Sequence, residues 1–385
     1  MKVFVIAGES SGDALGAALM AGLRELVPGV GFDGVGGPLM AGQGLVSRFA
    51  MDELSVMGLA EVLPKYFHLK RRIRETAQAI VAAAPDVVIT IDSPDFCLRV
   101  LALARAADPR LKTVHYVAPS VWAWRPGRAV KMARVVDHVL ALLPFEPPLM
   151  RAAGMSCEFV GHPVTTEPVA SAAEAAAFRA EAGIDPEAPL LLVLPGSRKG
   201  EVARLGPVFG ATLARLAVPG LRVVVPSVAA RADQVRELVT GWSGDPVVLD
   251  AAVTPPATKR AAFRAADAAL AASGTVSLEL AASATPMVIA YRLNRLSEAL
   301  IARMLLIDTL TLVNLVSETR VVPEFLRDRC RAEVIAPALA DLLTGEPARD
   351  AQRAAMDLTM QRLGRGGEAP GLRAARSVLG FLSAR

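Results

Sequence analysis

The sequence predicts an α/β protein of two Rossmann-like domains, each a parallel sheet wrapped by helices, which face a central cleft. Its 385 residues are too many for one core of ordinary size and suit two domains. Short apolar runs alternate with helix-length segments almost throughout, which is the pattern of a parallel sheet with crossover helices. Each half begins with an apolar run that leads into a glycine-containing loop, at residues 3–7 and 190–194. Loops at the carboxyl ends of parallel strands commonly bind ligands.

The first domain is predicted to span residues 1–165. Its opening strand, residues 3–7, is followed by a helix with leucines spaced along one face. Three further apolar runs, at residues 87–91, 113–117 and 138–142, are predicted as strands of the same sheet.

The second domain is predicted over residues 190–345, after an Ala-, Pro- and Glu-rich linker at 166–189. The linker has few large apolar residues, whereas strands and helices alternate again after it. The predicted strands are 190–194, 222–226, 247–249, 268–272 and 287–290. Residues 346–385 are predicted as helices that either return to the first domain or are exchanged with a partner chain.

Composition limits the partners and the compartment. The net charge is +4 without long blocks of like charge, which favours phosphorylated substrates or an anionic membrane surface over nucleic acid. Three widely spaced cysteines predict no disulfide framework and indicate a reducing, cytoplasmic compartment. Neither a signal peptide nor an apolar run of about 18 residues is found, so we expect a soluble or peripheral protein. No metal-ligand spacing and no G-x-G-x-x-G after a strand occur, so no cofactor is expected.

The loop after the first strand, residues 8–13, has the sequence Gly-Glu-Ser-Ser-Gly-Asp. Backbone N–H groups in such a loop can receive an anion or a sugar hydroxyl. The same letters match the nucleophile elbow of the α/β-hydrolases, with Asp92 and His115 later in the chain, although that elbow normally lies deeper in the sheet. A third interpretation is a tight turn whose glycines serve only helix–strand packing.

Asp92 follows the predicted strand at 87–91, at the edge of the sheet where active-site carboxylates usually lie. A carboxylate in that position can act as a general base. The alternative is that Asp92 or Asp95 caps the next helix, and Asp95, between Pro94 and Phe96, suits capping better. We therefore predict a catalytic role for Asp92.

Residues 115–125 hold two of the three tryptophans, Trp122 and Trp124, beside Arg125. Such rings can line a pocket, and the guanidinium can bind a phosphate. Ordinary core packing of both tryptophans is the alternative.

The loop after the first strand of the second domain contains Gly196, Ser197 and Arg198 before a helix. It lacks the spacing of a Walker P-loop, yet a guanidinium beside backbone donors suits a diphosphate. The alternative for Arg198 is a solvated surface position.

A further loop places Ser273, Gly274 and Thr275 at a helix start, with Glu279 one turn further on. Its hydroxyl and N–H groups suit a phosphate, and the Glu279 carboxylate suits the vicinal hydroxyls of a ribose. Helix capping alone would also favour Ser or Thr here. Asn314 is a polar residue in an apolar run near the predicted cleft.

Eight short segments, spread over both predicted domains, form a specific set. They are residues 7–13 (Ala-Gly-Glu-Ser-Ser-Gly-Asp), 56–58 (Val-Met-Gly), 91–96 (Ile-Asp-Ser-Pro-Asp-Phe), 115–125 (His-Tyr-Val-Ala-Pro-Ser-Val-Trp-Ala-Trp-Arg), 143–146 (Leu-Pro-Phe-Glu), 160–163 (Val-Gly-His-Pro), 194–198 (Leu-Pro-Gly-Ser-Arg) and 273–275 (Ser-Gly-Thr). This set resembles the lipid-A-disaccharide synthase family. The resemblance extends to about Asn314, and its tryptophan-containing segment is highly specific.

The resemblance implies a metal-independent, inverting glycosyltransferase of the GT-B type. Such an enzyme would transfer 2,3-diacylglucosamine from its UDP conjugate to 2,3-diacylglucosamine 1-phosphate (lipid X). The products would be the β(1→6) disaccharide 1-phosphate and UDP. The resemblance also implies a peripheral enzyme on the inner face of the cytoplasmic membrane and an intertwined homodimer with exchanged C-terminal segments.

By the same resemblance, Asp92 matches the base that deprotonates the acceptor 6-hydroxyl, and Arg198 matches the arginine that binds the donor diphosphate. Glu9 matches an acceptor-side polar position, and we predict it as a second catalytic residue. The full predicted donor site is Gly196, Ser197, Arg198, Ser273, Gly274, Thr275, Glu279 and Asn314. The other predicted acceptor-side residues are Ser11, Gly12, Trp124 and Arg125.

Residues 62–74 interleave apolar and aromatic side chains with five Lys or Arg residues, and Pro64 is predicted to start their helix. Because both implied substrates carry acyl chains, we expect the apolar side chains to enter a membrane interface while the cations meet anionic headgroups. These apolar residues are Leu63, Tyr66, Phe67 and Leu69. The alternative is an amphipathic core helix with a solvated basic face.

Two other functions remain open at this point. One is another UDP-sugar enzyme of the same fold, such as a UDP-N-acetylglucosamine 2-epimerase or a lipid II-forming transferase, and the Trp122–Trp124 segment argues against both. The other is a membrane-surface nucleotide-sugar sensor without catalysis. A sensor would not need a carboxylate at Asp92, so the activity of an Asp92→Asn variant separates the two classes.

Overall fold

The computed structural model describes residues 1–54, 59–292 and 304–384, with the backbone alone for 59–65. These residues form two compact units. Unit 1 comprises Met1–Thr166 and Gly366–Arg385, and unit 2 comprises Glu167–Arg365. The chain therefore leaves unit 1, builds unit 2 and then returns to unit 1.

Unit 1 is built from strands that alternate with helices. The strands are β1 Lys2–Ala7, β2 Gly31–Val35, β3 Val87–Ile91, β4 Thr113–Tyr116, β5 His138–Ala141 and β6 Ser156–Phe159. The helices are α1 Ser10–Leu26, α2 Pro38–Gly42, α3 Leu59–Ala83, α4 Pro94–Ala107, α5 Gly127–Met132 and α6 Glu146–Ala152.

Unit 2 repeats this alternation, and one helix after it belongs to unit 1. The strands are β7 Leu190–Leu194, β8 Arg222–Ser227, β9 Val247–Asp250, β10 Ala268–Ala271, β11 Met287–Tyr291 and β12 Glu324–Leu326. The helices of unit 2 are α7 Ala172–Glu181, α8 Lys199–Leu213, α9 Ala232–Val239, α10 Pro256–Ala265, α11 Val276–Ala282, α12 Leu312–Ser317, α13 Ala332–Thr344 and α14 Glu346–Arg362. The returning helix is α15 Pro370–Ser383.

The sheet of unit 1 is parallel, with the strand order β2-β1-β3-β4-β5-β6. The order reverses between β1 and β3, because the chain passes from β1 outward to β2 and then crosses to β3. In open parallel sheets a crevice forms at such a switch point, outside the carboxyl ends of the two strands.

The sheet of unit 2 is also parallel, with the order β12-β11-β10-β7-β8-β9. Its switch point lies between β7 and β10. All five residues of β7 and all four of β10 are buried, as expected for central strands covered on both faces. The α/β architecture predicted from the sequence, two parallel sheets wrapped by helices, is confirmed.

Helix α15 packs on α1 against the sheet of unit 1. Two glycines allow the close approach, since a Cβ on Gly22 would lie 2.8 Å from the Gly371 carbonyl oxygen. His138 of β5 adds a polar contact between its Nε2 and the Ser377 hydroxyl at 2.8 Å, and its ring stacks on Phe381. The last helix is therefore an integral part of the first unit.

The segment predicted as a linker, residues 166–189, contains the ordered helix α7 and belongs to unit 2 from Glu167 onward. The Ser171 hydroxyl accepts the Glu174 N–H at 3.2 Å, and the Glu174 carboxylate accepts the Ser171 N–H at 2.7 Å, which forms a capping box. Phe178 is buried, and α7 packs on α10. The alanines that made this segment resemble a linker are small enough for close helix packing.

The strands that the sequence did not predict, β2, β6 and β12, lie at sheet edges. Edge strands are covered less completely than central ones, so they carry more polar residues and their apolar signal is weak. β6, for example, exposes Ser156 and Glu158.

Helix α3 begins at Leu59, so the prediction that Pro64 starts this helix is wrong. None of the helices in the described ranges has both the length and the apolar character needed to cross a membrane.

Candidate functional site: two cavities at the switch points

A cavity of about 870 Å³ opens at the carboxyl edge of the unit 1 sheet, at the switch point between β1 and β3. Its lining residues are Glu9, Leu54, Tyr66, Leu69, Lys70, Ile73, Arg74, Asp92, Ser93, Pro94, Asp95, Phe96, Arg99, Ala102 and Leu103. The two predicted catalytic residues, Glu9 and Asp92, therefore lie in one cavity.

Asp92 occupies a strained turn between β3 and α4. Asp92 and Ser93 have left-handed backbone angles, with φ of 50° and 43°. Non-glycine residues adopt this conformation at a cost of about 1 kcal/mol or more, unless their surroundings hold them there. The Asp92 N–H donates to the Tyr116 carbonyl at 3.0 Å, and a Cβ on Gly8 would lie 2.6 Å from Ser93 Oγ. The loop after β1 and the end of β4 therefore hold the turn that presents the Asp92 carboxylate to the cavity.

The other predicted residues of the first loop do not line this cavity. Ser11 is exposed on α1, and Gly12 is buried where a Cβ would lie 3.5 Å from the Ile91 carbonyl oxygen. The buried Asp13 carboxylate accepts three backbone N–H groups at the start of α2, at 2.9 to 3.0 Å. Gly12 and Asp13 thus serve packing and helix capping, and the acceptor-side role of Ser11 and Gly12 stays a prediction.

The tryptophan-containing loop lies beside the cavity without lining it. The Arg125 guanidinium stacks on the Trp124 ring, 4.4 Å from its centroid. The two predicted acceptor-side residues of this loop therefore contact each other. Trp122 Nε1–H donates to the buried Glu146 carboxylate at 3.2 Å, and its ring meets Phe145 edge-on. Burial raises the pKa of Glu146 to about 7, although backbone N–H groups and the Trp122 N–H partly offset this.

The hydrolase interpretation fails at His115. This imidazole is buried in β4, where its Nδ1 lies 2.7 Å from the Thr90 hydroxyl. Burial lowers the pKa of His115 to about 4. A histidine enclosed in the sheet is not available as the base for a serine on α1.

Helix α3 borders the cavity with the segment that was predicted to dock to membranes. Tyr66 and Phe67 are exposed, with 80% of Phe67 accessible. Leu69 is half-buried against the unit 1 core and lines the cavity, so the prediction that it enters a membrane interface is not supported. The side chain of Leu63 and the whole of the 56–58 motif lie outside the described residues.

Three cations in this cavity were not predicted to bind a substrate, and the two on α3 were predicted only to meet anionic headgroups. They are Lys70 and Arg74 on α3 and Arg99 on α4. In the sequence they resemble the solvated charges of any amphipathic helix, so only their shared position around a cavity distinguishes them.

Unit 2 has its own cavity, of about 570 Å³, at the switch point between β7 and β10. Seven of the eight predicted donor residues line it: Gly196, Ser197, Arg198, Ser273, Gly274, Thr275 and Glu279. Gly196 and Gly274 have φ of 109° and 154°, which few other residues adopt. Two short glycine loops thus bring backbone and hydroxyl groups to one small site.

Charged side chains hold the cavity of unit 2 in shape. Arg198 Nη1 lies 3.1 Å from Glu201 Oε1, and the Tyr291 hydroxyl donates to the same oxygen at 3.2 Å. Glu279 accepts a hydrogen bond from Lys259 Nζ at 2.6 Å. Neither Glu201 nor Lys259 was among the predicted site residues, and only the Arg-x-x-Glu spacing at the start of α8 could have indicated Glu201.

The eighth predicted donor residue, Asn314, is buried away from this cavity. Its side-chain amide donates to the Val322 carbonyl at 2.9 Å and accepts the Val322 N–H at 3.1 Å. Asn314 therefore ties α12 to the chain that leads into β12. Its polar side chain is explained by that turn, and we leave it out of the donor site.

Comparisons with known proteins identify the family and the fold. The profile of the family described as lipid-A-disaccharide synthetase matches residues 3–369. The chain belongs to this family. The lipid-A-disaccharide synthase of Ruegeria pomeroyi is 65% identical over 98% of this chain and 95% of its own. The corresponding synthase of Rhodospirillum centenum is 48% identical over 100% of this chain and 96% of its own. As a member of this synthase family, the chain is an enzyme, a glycosyltransferase.

Solved structures with low sequence identity support the fold assignment. The UDP-GlcNAc 2-epimerase from Neisseria meningitidis bound to UDP-GlcNAc is similar, with a TM-score of 0.66, 11% identity and complete coverage of both chains. Anabaena Alr3699/HepE in complex with UDP and glucose has a TM-score of 0.58 at 13% identity, over 100% of this chain and 99% of its own. The fold of the chain is thus of the GT-B class.

Proposed function

We propose that this enzyme transfers 2,3-diacylglucosamine from UDP-2,3-diacylglucosamine to 2,3-diacylglucosamine 1-phosphate, with unit 1 as the acceptor site and unit 2 as the donor site. The products are the β(1→6)-linked lipid A disaccharide 1-phosphate and UDP. One observation carries the assignment. In this member of the family, a strained turn at the switch point of the unit 1 sheet presents the Asp92 carboxylate to a large cavity.

The proposed reaction begins at Asp92. Its carboxylate accepts the proton of the acceptor 6-hydroxyl, and the oxygen attacks the anomeric carbon of the donor. The bond between that carbon and the diphosphate oxygen breaks, and UDP leaves with the electron pair. Attack from the face opposite the leaving group inverts the anomeric carbon, which gives the β linkage. Glu9, in the same cavity, is proposed to orient the acceptor hydroxyl.

The donor diphosphate is proposed to bind against the start of α8. The Arg198 guanidinium can contact two phosphate oxygens at once, and the backbone N–H groups of Gly196 and Ser197 add further donors. These groups stabilise the charge that develops as UDP leaves, which is the step at which electrostatic stabilisation counts most. Glu279, held by Lys259, is positioned for the ribose hydroxyls.

We also propose that the enzyme docks to the inner face of the cytoplasmic membrane through α3. Both substrates carry acyl chains, and Tyr66 and Phe67 expose aromatic side chains beside the acceptor cavity. Aromatic residues favour the membrane interface, and nearby cations are attracted to anionic lipids. A homodimer is proposed on the family resemblance alone, and sedimentation equilibrium at several protein concentrations tests it.

The test of the proposed reaction is incubation with UDP-2,3-diacylglucosamine and lipid X, followed by mass spectrometry. The expected product is the disaccharide 1-phosphate, formed together with UDP. An Asp92→Asn variant serves as the catalytic control. Formation of a free epimerised UDP-sugar, or of no product from this pair, would contradict the proposal.

A further inference from the structure

We infer that the faces of α3 and α4 that line the unit 1 cavity form a phosphate subsite, in which Lys70, Arg74 and Arg99 bind the phosphomonoester of the acceptor. The inference rests on the proposed function and deepens it, because it assigns the anionic end of the acceptor to named side chains. The reacting 6-hydroxyl and the 1-phosphate are carried by the same sugar ring. A site that holds both must combine a base with cations in the same cavity, as this cavity does.

The position of α3 brings its cations to this edge of the sheet. The helix has 25 residues, about 37 Å, whereas the five residues of β3 span about 17 Å. Because α3 leads directly into the start of β3, its first half lies near the carboxyl edge of the sheet. Lys70 and Arg74 are one turn apart on the face that also carries Leu69 and Ile73, and all four line the cavity.

Helix α4 supplies the facing wall. It starts immediately after the Asp92 turn and packs on α3. Asp95, Arg99 and Leu103 follow one another at four-residue intervals, so they share one face, and all three line the cavity. Arg99 therefore lies about one turn into the helix that begins beside the proposed base.

Ion pairing distinguishes these cations from their neighbours. Arg72 pairs with Glu53 at 2.8 Å and with Glu75 at 2.9 Å, and Arg71 lies 3.6 Å from Glu75. Lys70, Arg74 and Arg99 form no ion pair within the described part of the chain. The cations that point away from the cavity are thus neutralised by the protein, and those that line it are not.

The cavity also contains the carboxylates of Glu9, Asp92 and Asp95, which would repel a phosphate placed among them. Two of these, Glu9 and Asp92, come directly from the strand-end loops, whereas the cations, like Asp95, come from the helix faces. A phosphate dianion bound by Arg99 and the two α3 cations avoids the strand-end carboxylates and leaves Asp92 to the hydroxyl. The guanidinium groups suit bidentate contact with phosphate, and the Lys70 ammonium adds a point charge.

The experiment compares two acceptors in neutral detergent micelles: lipid X and the same diacylglucosamine without its phosphate. Lys70→Gln, Arg74→Gln and Arg99→Gln should each raise KM for lipid X about tenfold, the usual effect of losing one charge-assisted contact. The kcat value and UDP affinity should stay near those of the wild type. With the unphosphorylated acceptor, the variants and the wild type should have the same KM. Arg71→Gln, which removes an adjacent cation outside the cavity, should match the wild type with both acceptors.

Two results would overturn the inference. One is an equal rise in KM for both acceptors, because the cations would then act on something other than the phosphate. The other is that the three variants keep wild-type kinetics in micelles and lose only their co-sedimentation with vesicles that contain anionic phosphatidylglycerol. The cations would then bind bilayer headgroups. Calorimetric titration with lipid X alone separates this inference from the proposed reaction. A wild type that binds lipid X through Arg99 but forms no disaccharide would disprove the reaction and retain the subsite.

Discussion

The two units share a parallel six-stranded sheet and a cavity at the switch point, but they form the cavity from different groups. In unit 2 the positive-φ positions of the cavity loops are glycines, Gly196 and Gly274. In unit 1 the corresponding turn after β3 has Asp92 and Ser93 in that conformation. A diphosphate needs close approach to backbone N–H groups, which glycine allows without strain. A general base needs a side chain at the turn, and the strain is tolerated because neighbouring loops hold it.

The two cavities also differ in how much of their lining comes from helix faces. The unit 1 cavity is bordered by the long faces of α3 and α4, with apolar and cationic side chains together. The unit 2 cavity is smaller and is lined mainly by loop residues and helix starts. An amphiphilic acceptor requires the first arrangement, whereas a compact nucleotide diphosphate suits the second. Substitutions in the two cavities test this division.

Asp92→Asn should lower turnover by about two to four orders of magnitude, the usual span for loss of a general base. Its UDP affinity should remain that of the wild type, because Asp92 belongs to the acceptor unit. Single-turnover kinetics and calorimetric UDP binding measure the two quantities. Unchanged turnover would remove Asp92 from the mechanism, and weakened UDP binding would break the division between the units.

Glu146→Gln should change how stability depends on pH. The pKa of Glu146 is about 7 in the folded protein and near 4.5 when unfolded. Its contribution is therefore fully present below pH 4.5 and is lost as pH rises through 7, by up to about 3 kcal/mol. Relative to the Gln variant, the wild type should become less stable from pH 4.5 to 8, as measured by denaturant titration.

The control for this pH experiment lies in unit 2. Backbone and hydroxyl hydrogen bonds from Ser171 hold the pKa of the exposed Glu174 below its usual range. Its contribution is therefore lost as pH falls, so Glu174→Gln should give a slope of the opposite sign. If Glu146→Gln and Glu174→Gln show the same slope, the buried carboxyl does not titrate as proposed.

Arg198→Ala should weaken UDP binding about tenfold, since it removes a charge-assisted contact to the diphosphate. Arg198→Lys should recover only part of this loss, because an ammonium cannot contact two phosphate oxygens in a fixed fork. Acceptor binding should be unaffected in both variants. A lysine variant with wild-type affinity would show that the fork geometry is irrelevant.

Phe67→Ser should reduce vesicle binding about fivefold, as expected when one partly inserted aromatic side chain, worth about 1 kcal/mol, is removed. Val81→Ser is the matched control, since Val81 is an exposed apolar residue on the same helix but near its other end. Co-sedimentation with vesicles and thermal melting are both recorded. Equal losses for the two variants would mean that α3 has no preferred docking end.

The loops of the two sites could be predicted from sequence because each follows a short, largely apolar strand. Asp92 after β3 and Arg198 after β7 are examples, since the periodicity change marks the sheet edge. The residues of α3 and α4 that line the unit 1 cavity could not be predicted in this way. Arg99 and Arg72 look alike in the sequence, and only tertiary packing decides which one meets a carboxylate and which a cavity. The same holds for Asn314, because the sequence does not distinguish a buried amide that closes a turn, as this one does, from an amide that binds a ligand.

The return of α15 to unit 1 affects how the protein is made on the ribosome. The sheet of unit 1 is complete by residue 159, but the helix that covers α1 begins only at Pro370, after all of unit 2. At a synthesis rate of 5 to 20 residues per second, this interval of roughly 210 residues lasts about 10 to 40 s. During that time the face of α1 that packs on this helix, including Ala18 and Gly22, has no covering helix from its own chain. A nascent chain that stalls in unit 2 is therefore a natural substrate for chaperones, and a premature stop codon before Pro370 would damage the domain that was translated first.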